Sequence, residues 1–253
     1  MAAVQAALLA AFNTPGLWIL VAGVAVAGLV RGFSGFGTAM VYLPVAAQIL
    51  SPFEALTTLI VMDLIGPWPN VPRALRDGDP KDVLRLGVGA VLALPLGVWA
   101  LSLIPPEVFR YGVSLVALTL LVVLLLGLRY HGRLSGPLML LTGAGSGFLA
   151  GSVVLPGPPV ILLYMAGPHR PQVIRANTIL FLLLSDVLML TVLYLNGFVV
   201  GSAVVLGVVL ALPYMLANIA GAAIFRPEAA RSYRGVAYLI IAASALHGLP
   251  FFD

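Results

Sequence analysis

Gly28–Pro44, GLVRGFSGFGTAMVYLP, sits in the middle of an apolar run that extends from Leu17 to Leu50. As one unbroken helix these 34 residues would be about 51 Å long, against a hydrocarbon core of roughly 30 Å. The run holds a single charge, Arg31, and Gly32, Gly35 and Gly37 follow it directly. Glycine is a poor helix former, and three within six residues place a break here. The stretch predicts two half-helices meeting at a glycine-rich tip inside a membrane. Non-helical backbone at that depth survives only where protein or a water-filled cavity satisfies its polar groups. Broken helices of this kind build the substrate sites of many transporters.

The rest of the composition agrees with a membrane setting. The chain has 253 residues, 61% of them hydrophobic and 9% charged, whereas a soluble domain carries about 25% charged residues. The expected fold is therefore all-α and polytopic, a single transmembrane domain over residues 1–253. The net charge of +4 comes from basic residues gathered in a few loops, as the positive-inside rule expects, and gives no reason to expect nucleic-acid binding. Cysteine is absent, which excludes disulfides, thiolate metal sites and cysteine catalysis. His131, His169 and His247 are scattered and form no metal-ligand spacing, so neither a metal nor a cofactor is expected. No Lys or Arg precedes Arg31, so the n-region of a signal peptide is missing and the apolar segments are expected to direct insertion themselves.

Apolar segments run over 17–50, 53–72, 83–103, 107–128, 136–165, 171–195, 198–225 and 232–250. The fifth, like the first, is too long for one crossing. It is interrupted at Gly143–Pro159, GAGSGFLAGSVVLPGPP, where proline removes helix hydrogen bonds and glycine loosens the backbone. The two breaks suggest a duplication. Leu92-Ala93-Leu94-Pro95 recurs as Leu210-Ala211-Leu212-Pro213, and Pro106-Glu107 as Pro227-Glu228. Arg110-Tyr111-Gly112-Val113 is echoed by Tyr233-Arg234-Gly235-Val236, and Pro52 by Pro171. The echoes keep their order and nearly their spacing. The repeats would cover 17–128 and 136–250.

Charge decides orientation. Arg73, Arg76, Lys81 and Arg85 mark the loop after the second segment as cytoplasmic, and Arg129 and Arg133 do the same after the fourth. If the fifth segment is a re-entrant hairpin, Arg170, Arg175, Arg226, Arg231 and Arg234 also fall inside. Eleven of the thirteen basic residues are then cytoplasmic, with Arg110 as the loop exception and Arg31 at a tip. Each half becomes one broken hairpin plus three crossings, an odd number, which gives two inverted repeats with both termini outside. The competing arrangement is eight plain helices that tolerate external arginines.

Three groups of residues are candidates for chemistry. At the first tip a helix restarting near Thr38 presents amide hydrogens and the positive end of its dipole. Gly32, Gly35 and Gly37 allow close approach, Ser34 and Thr38 carry hydroxyls, and Arg31 carries a fork suited to oxyanions. This reads as an anion site. Alternatively, Arg31 neutralises the carbonyl end of the first half-helix, or snorkels to water. The second tip offers Ser152, Gly157 and Pro158 without a charge, with Ser146, Gly147, Gly151 and Pro156 beside them. Gly143 and Gly147, four apart, also suit close helix packing. Asp63 and Asp186 lie in the corresponding crossing of the two halves, about one turn apart. A carboxylate in a membrane is a functional hypothesis by default. Proton coupling is one reading of each, and a structural partner such as Arg31 or a hydroxyl is the other. Trp18, Trp68, Trp99, Tyr111 and Tyr233 stand near segment ends, where an aromatic belt belongs. Tyr42, Gln48, Asn70, Tyr164, Asn177, Tyr194, Asn196, Tyr214 and Asn218 read mainly as hydrogen-bonding links between helices.

The stretch RGFSGFGTAMVYLP, with Gly32, Gly35, Gly37 and then Pro44, resembles the glycine-rich first segment of the TauE/SafE family of sulfite and organosulfonate exporters. The duplicated layout and the second glycine-proline stretch extend the resemblance over nearly the whole chain. It implies secondary transport of small anions such as sulfite or sulfoacetate across a bacterial inner membrane by alternating access. The partners it implies are a small anionic substrate and membrane lipid, with a homodimer left open. Two other classes stay in view: a passive anion channel, and a membrane-embedded enzyme. The second needs an acid–base or nucleophile cluster facing one cavity. The sequence offers two separated carboxylates and no intramembrane Ser-His or His-Glu pairing. Glu107 and Glu228 read as helix N-terminal charges.

Overall fold

The structure is a computed structural model that describes residues 8–9, 11–126, 134–165, 170–224 and 230–249. Arg129, His131, Arg133, His169, Arg226, Pro227 and Glu228 lie outside the described residues, as do the side chains of Pro171, Arg231, Tyr233 and Arg234. Among the described residues the chain is all-helical. It forms α1 (Leu17–Ser34), α2 (Thr38–Ala46), α3 (Pro52–Ile65), α4 (Val71–Asp77), α5 (Pro80–Ser102) and α6 (Pro106–Leu125). These are followed by α7 (Gly136–Val153), α8 (Gly157–Met165), α9 (Pro171–Leu195), α10 (Gly201–Ile224) and α11 (Ala230–His247). Among the described residues six helices are long and apolar enough to cross a membrane: α1, α5, α6, α7, α9 from Gln172, and α10. The chain is a multi-pass membrane protein.

Local chemistry explains the helix starts. Ser51 and Glu54 close a capping box on α3, with Pro52 at its first position. The Asp79 carboxylate accepts from the amides of Lys81 and Asp82 at the head of α5. The Ser135 hydroxyl does the same for Leu138 in α7. Glu107 occupies the first turn of α6, the position expected of a charge that favours a helix N-terminus. The second crossing is shorter than the sequence suggests. The apolar segment runs to residue 72, but α3 ends at Ile65, because Pro67 and Pro69 cannot donate helix bonds. A single 3₁₀ turn, Trp68–Asn70, leads into α4.

Both long segments break where expected, and both reverse. Gly35 ends α1 in the left-handed region (φ 83°), and Gly37, also left-handed (φ 97°), opens α2. A Cβ added to Gly16 would lie 2.9 Å from Ile49 Cδ1, and one on Gly23 would lie 3.4 Å from Val45 Cγ1. The chain that leaves Gly16 is thus back beside it at Ile49, which makes the first segment a hairpin. Its arms are unequal rather than two halves. The 18 residues of α1 rise about 27 Å, whereas α2 has 9 residues. The second hairpin has the same proportions, with 18 residues in α7 and 9 in α8. Met139, near the start of α7, shares a buried cluster with Val160, Leu163 and Tyr164 of α8, so α8 doubles back along α7.

The chain divides into two compact units, and each draws on both halves of the sequence. The first comprises Met1–Gly66, Pro105–Leu118 and Leu193–Asp253. There α1 packs against α10 so closely that a Cβ on Gly32 would strike the Asn218 carbonyl and one on Gly221 the Leu29 carbonyl. The second comprises Pro67–Ile104 and Thr119–Val192. There α5 packs against α7, with Gly97 against the Phe148 carbonyl and Gly151 against the Leu94 carbonyl. Gly143 and Gly147 belong to the same seam, against Leu86 and Ala90, which is the packing role their spacing suggested. In both units the long arm of one half's hairpin lies on a helix from the other half. The outward side chains are those of a lipid-facing surface: Trp18, Trp68 and Trp99 are all exposed near element ends.

Candidate functional site

The first tip gathers a charge, a counter-charge and two hydroxyls. Arg31 lies in the last turn of α1 and is only 5% exposed, so it does not snorkel to the surface. From Trp18 to Arg31 the helix rises about 20 Å, which takes the guanidinium well away from the aromatic end of α1. Arg31 Nη1 donates to Asp63 Oδ2 of α3 at 3.1 Å and to Thr38 Oγ1 of α2 at 3.3 Å. Tyr214 of α10, fully buried, donates its hydroxyl proton to Asp63 Oδ1. Thr38 Oγ1 and the Tyr214 hydroxyl are 2.9 Å apart.

Proton bookkeeping fixes the direction of these bonds. Tyr214 has one proton, committed to Asp63, so Thr38 is the donor to Tyr214 and accepts from Arg31. The result is a closed ring, Arg31 to Thr38 to Tyr214 to Asp63, sealed by the Arg31–Asp63 ion pair. Both carboxylate oxygens accept. Four elements, α1, α2, α3 and α10, are tied together through buried polar atoms. Such a network is costly to leave half-satisfied and rigid when complete.

Beside the ring is the N-terminus of α2. The amides of Thr38, Ala39 and Met40 fall in its first turn and have no acceptor within the helix, and Gly37 supplies no capping side chain. The remaining tip residues have local duties. The Ser34 hydroxyl donates to the carbonyls of Val30 (2.6 Å) and Phe36 (2.8 Å), and accepts from the Phe36 amide. The amide of Gly35 donates to the Arg31 carbonyl at 2.7 Å. Gly32 faces α10.

The second tip is built differently. Val154, a β-branched residue, takes the left-handed conformation (φ 53°, ψ 42°) in the place where the first hairpin has Gly35. Its amide donates to the Ala150 carbonyl, as that of Gly35 does to Arg31. Ala150 therefore stands where Arg31 stands in the first hairpin. Pro156, Pro158 and Pro159 carry no amide hydrogen, so the start of α8 is poor in donors. The Ser152 hydroxyl bonds back to the Phe148 carbonyl at 2.8 Å. Gly157 is in ordinary contact with Leu182. Asp186 is buried on α9.

Sequence reasoning thus found Arg31, Thr38 and Asp63, which the structure joins, and named Arg31 as a partner for Asp63. It placed Tyr214 among the residues that link helices, which it does by bonding to α2 and α3, but did not bring it to this ring. The available signal was slight: a hydroxyl directly after Pro213, in a run with no other polar group nearer than Asn218 on its C-terminal side. The linking role itself holds elsewhere. The Tyr42 hydroxyl is 2.9 Å from Thr58 Oγ1, Asn177 Nδ2 donates to Tyr164 at 2.9 Å, and Gln48 donates to the carbonyls of Pro44 and His247.

No curated protein and no solved structure matches this chain. Residues 19–247, which take in both hairpins, the ion-paired ring and all but the ends of the sequence, match the sulfite exporter TauE/SafE family, and the chain belongs to that family.

Proposed function

We propose that the protein is a secondary transporter of small oxyanions, with sulfite or a small organosulfonate as its substrate, and that the anion is recognised at the first tip. One observation carries this reading: a guanidinium buried away from water, at a chain reversal, beside the unbonded amides that open α2. A charge in that position is expensive, and in membrane proteins such residues mark substrate or ion pathways. Arg31 supplies the charge and fork geometry, the α2 amides supply hydrogen-bond donors, and Gly35 and Gly37 keep the backbone bare. In the second tip, Ser152, Gly157 and Pro158 offer shape rather than charge and are assigned a secondary contact role. Movement of one repeat against the other gives alternating access. The protein sits in a bacterial inner membrane with both termini outside, which leaves exposed Arg73, Arg76, Lys81 and Arg85 in the cytoplasm. The residues at the site bind and release an anion and carry out no covalent step.

The test is flux of sulfite and of methanesulfonate into proteoliposomes containing the purified protein. Saturable flux and counterflow are expected, with Arg31→Gln lowering flux by a hundredfold or more. Absence of flux for both anions, or an Arg31→Gln protein as active as the parent, defeats the assignment.

A further inference from the structure

We infer that Asp63 is a built-in placeholder anion. It holds Arg31 when the site is empty and gives way to the substrate when it is loaded. Charge then crosses the membrane with the substrate, and the membrane potential drives net transport. This rests on the transport reading above and adds to it what drives the cycle.

The argument begins with the ring. The charged or titratable groups bonded to Asp63 are Arg31 from α1 and Tyr214 from α10, and α2 contributes the Thr38 hydroxyl to the same ring. Asp63 Oδ2 faces a guanidinium, which has no acceptor atom, and Oδ1 faces a hydroxyl whose proton is already directed at it. An added proton on Oδ2 has no place to go. One on Oδ1 requires Tyr214 and then Thr38 to reverse their donors, which leaves the Thr38 hydroxyl accepting from both Arg31 and Tyr214 and its own proton without an acceptor in the ring. In the empty site the hydrogen-bond pattern is therefore that of a carboxylate serving as counter-ion to Arg31.

A charge count follows. In the empty site Arg31 and Asp63 cancel, so the pair crosses hydrocarbon as a neutral unit, which lowers the cost of reorienting without cargo. When a monoanion takes the guanidinium, the site carries one net negative charge. An inside-negative potential pushes that state outward and leaves the empty return unaffected, so export needs no second ion. Tyr214 keeps its bond to Asp63 during the exchange, with Thr38 behind it as donor to Tyr214, so the displaced carboxylate keeps one donor.

The experiment uses methanesulfonate, a monoanion at every pH of the assay, in proteoliposomes whose potential is set by potassium and valinomycin. The wild-type protein is expected to accumulate it tenfold per about 59 mV of inside-positive potential, as a one-charge process requires, and to ignore an imposed pH gradient. In Asp63→Asn the unloaded site is cationic. Its empty return is slowed, so net flux falls at least tenfold further than anion–anion counterflow does, and its KM falls. Accumulation that follows the pH gradient and not the potential overturns the inference and leaves the transport reading intact, because Asp63 would then be the proton carrier. Equal net flux and exchange in wild type and Asp63→Asn also overturn it. Lack of any methanesulfonate or sulfite flux in the wild type removes the transport reading, and the inference with it.

Discussion

The two hairpins are alike in everything but chemistry. Each has an arm of 18 residues and one of 9, a left-handed residue at the turn, and an amide there that donates four residues back. Gly35 and Val154, Arg31 and Ala150, Thr58 and Asn177, and Pro52 and Pro171 are all 119 positions apart. In each, a tyrosine of the short arm, Tyr42 or Tyr164, bonds across to Thr58 or Asn177 on the next helix. Yet one hairpin has an arginine, bare amides and a glycine turn, and the other has an alanine, three prolines and a valine turn. Reversal and packing depend on backbone geometry, which small residues at set spacings reproduce twice. On the proposed function, recognition of one anion needs one cation, and a second buried charge would add cost without adding a ligand.

The largest expected effect breaks the comparison at Arg31. Arg31→Ala makes the first hairpin resemble the second at that position, but it leaves the Asp63 carboxylate buried with a hydroxyl as its remaining ring partner. Removing one member of a buried pair costs about 3–5 kcal/mol. Arg31→Ala/Asp63→Ala is expected to recover most of that loss while remaining inactive, since neither charge is left stranded. Thermal unfolding of the detergent-purified proteins measures both. A double variant no more stable than Arg31→Ala shows that the pair does not set the stability of this tip.

The glycine seams come next. A Cβ on Gly32 meets a backbone carbonyl of α10, and one on Gly97 meets a carbonyl of α7, so in both cases the helices must separate. Overpacking of this kind costs roughly 1–3 kcal/mol, and Gly32→Ala and Gly97→Ala should lose comparable stability. Their fluxes should differ. Gly32 lies one residue from Arg31 on the face that meets α10, which carries Tyr214, so its substitution pulls the ring apart. Gly97 has no ring member on its seam. Gly145→Ala, where nothing lies within 4 Å, is the control and should be neutral or slightly stabilising. Equal flux in the two seam variants would remove the functional distinction between them.

What the sequence disclosed follows the same division. The breaks were legible because glycine and proline act through the backbone, and an apolar run too long for a membrane has few ways to fit one. The pairing of Arg31 with Asp63 was legible as chemistry, since a charge inside a membrane must find a partner and few were available. Tyr214 was not, because it meets Thr38 across 176 positions and nothing in an apolar run separates a ring member from a helix-linking tyrosine. Nor was Val154, since a β-branched residue is the last that propensity would place at a left-handed turn. The interleaving of the halves in the two units was also hidden. An echo between segments says which are alike, not which touch.

The tyrosine ties sharpen the comparison further. In Tyr42→Phe the Thr58 hydroxyl still donates to the carbonyls of Glu54 and Ala55, so about 0.5 kcal/mol is expected. In Tyr164→Phe the Asn177 amide loses the acceptor of its Nδ2 while its Oδ1 remains on the Asp79 amide. A buried donor left unmet costs about 1–3 kcal/mol. Unfolding of the two variants side by side should rank Tyr164→Phe as the more damaging, and the reverse order would mean that the two ties are not equivalent in the way their positions suggest.

An effect as small as those of the ties is expected at the turn of the second hairpin. A non-glycine residue in the left-handed region costs roughly 1–2 kcal/mol, and Val154 bears that cost while its side chain is almost fully buried. Val154→Gly removes the strain, loses about 1.5–3 kcal/mol of side-chain burial, and gives the unfolded chain extra freedom worth roughly 0.5–1 kcal/mol. These terms leave a net loss of about 1.5 kcal/mol, where the same truncation in a relaxed backbone would cost about twice as much. Gly35→Val runs the other way at the first hairpin, adding the strain with no prepared space for the side chain, and should cost more than its mirror substitution. If Val154→Gly instead loses the full burial energy, the left-handed turn is unstrained there, and valine was kept for its packing alone. If it gains stability, the strain is larger than an ordinary left-handed residue carries, and the second hairpin, uncharged as it is, stores energy that the first one does not.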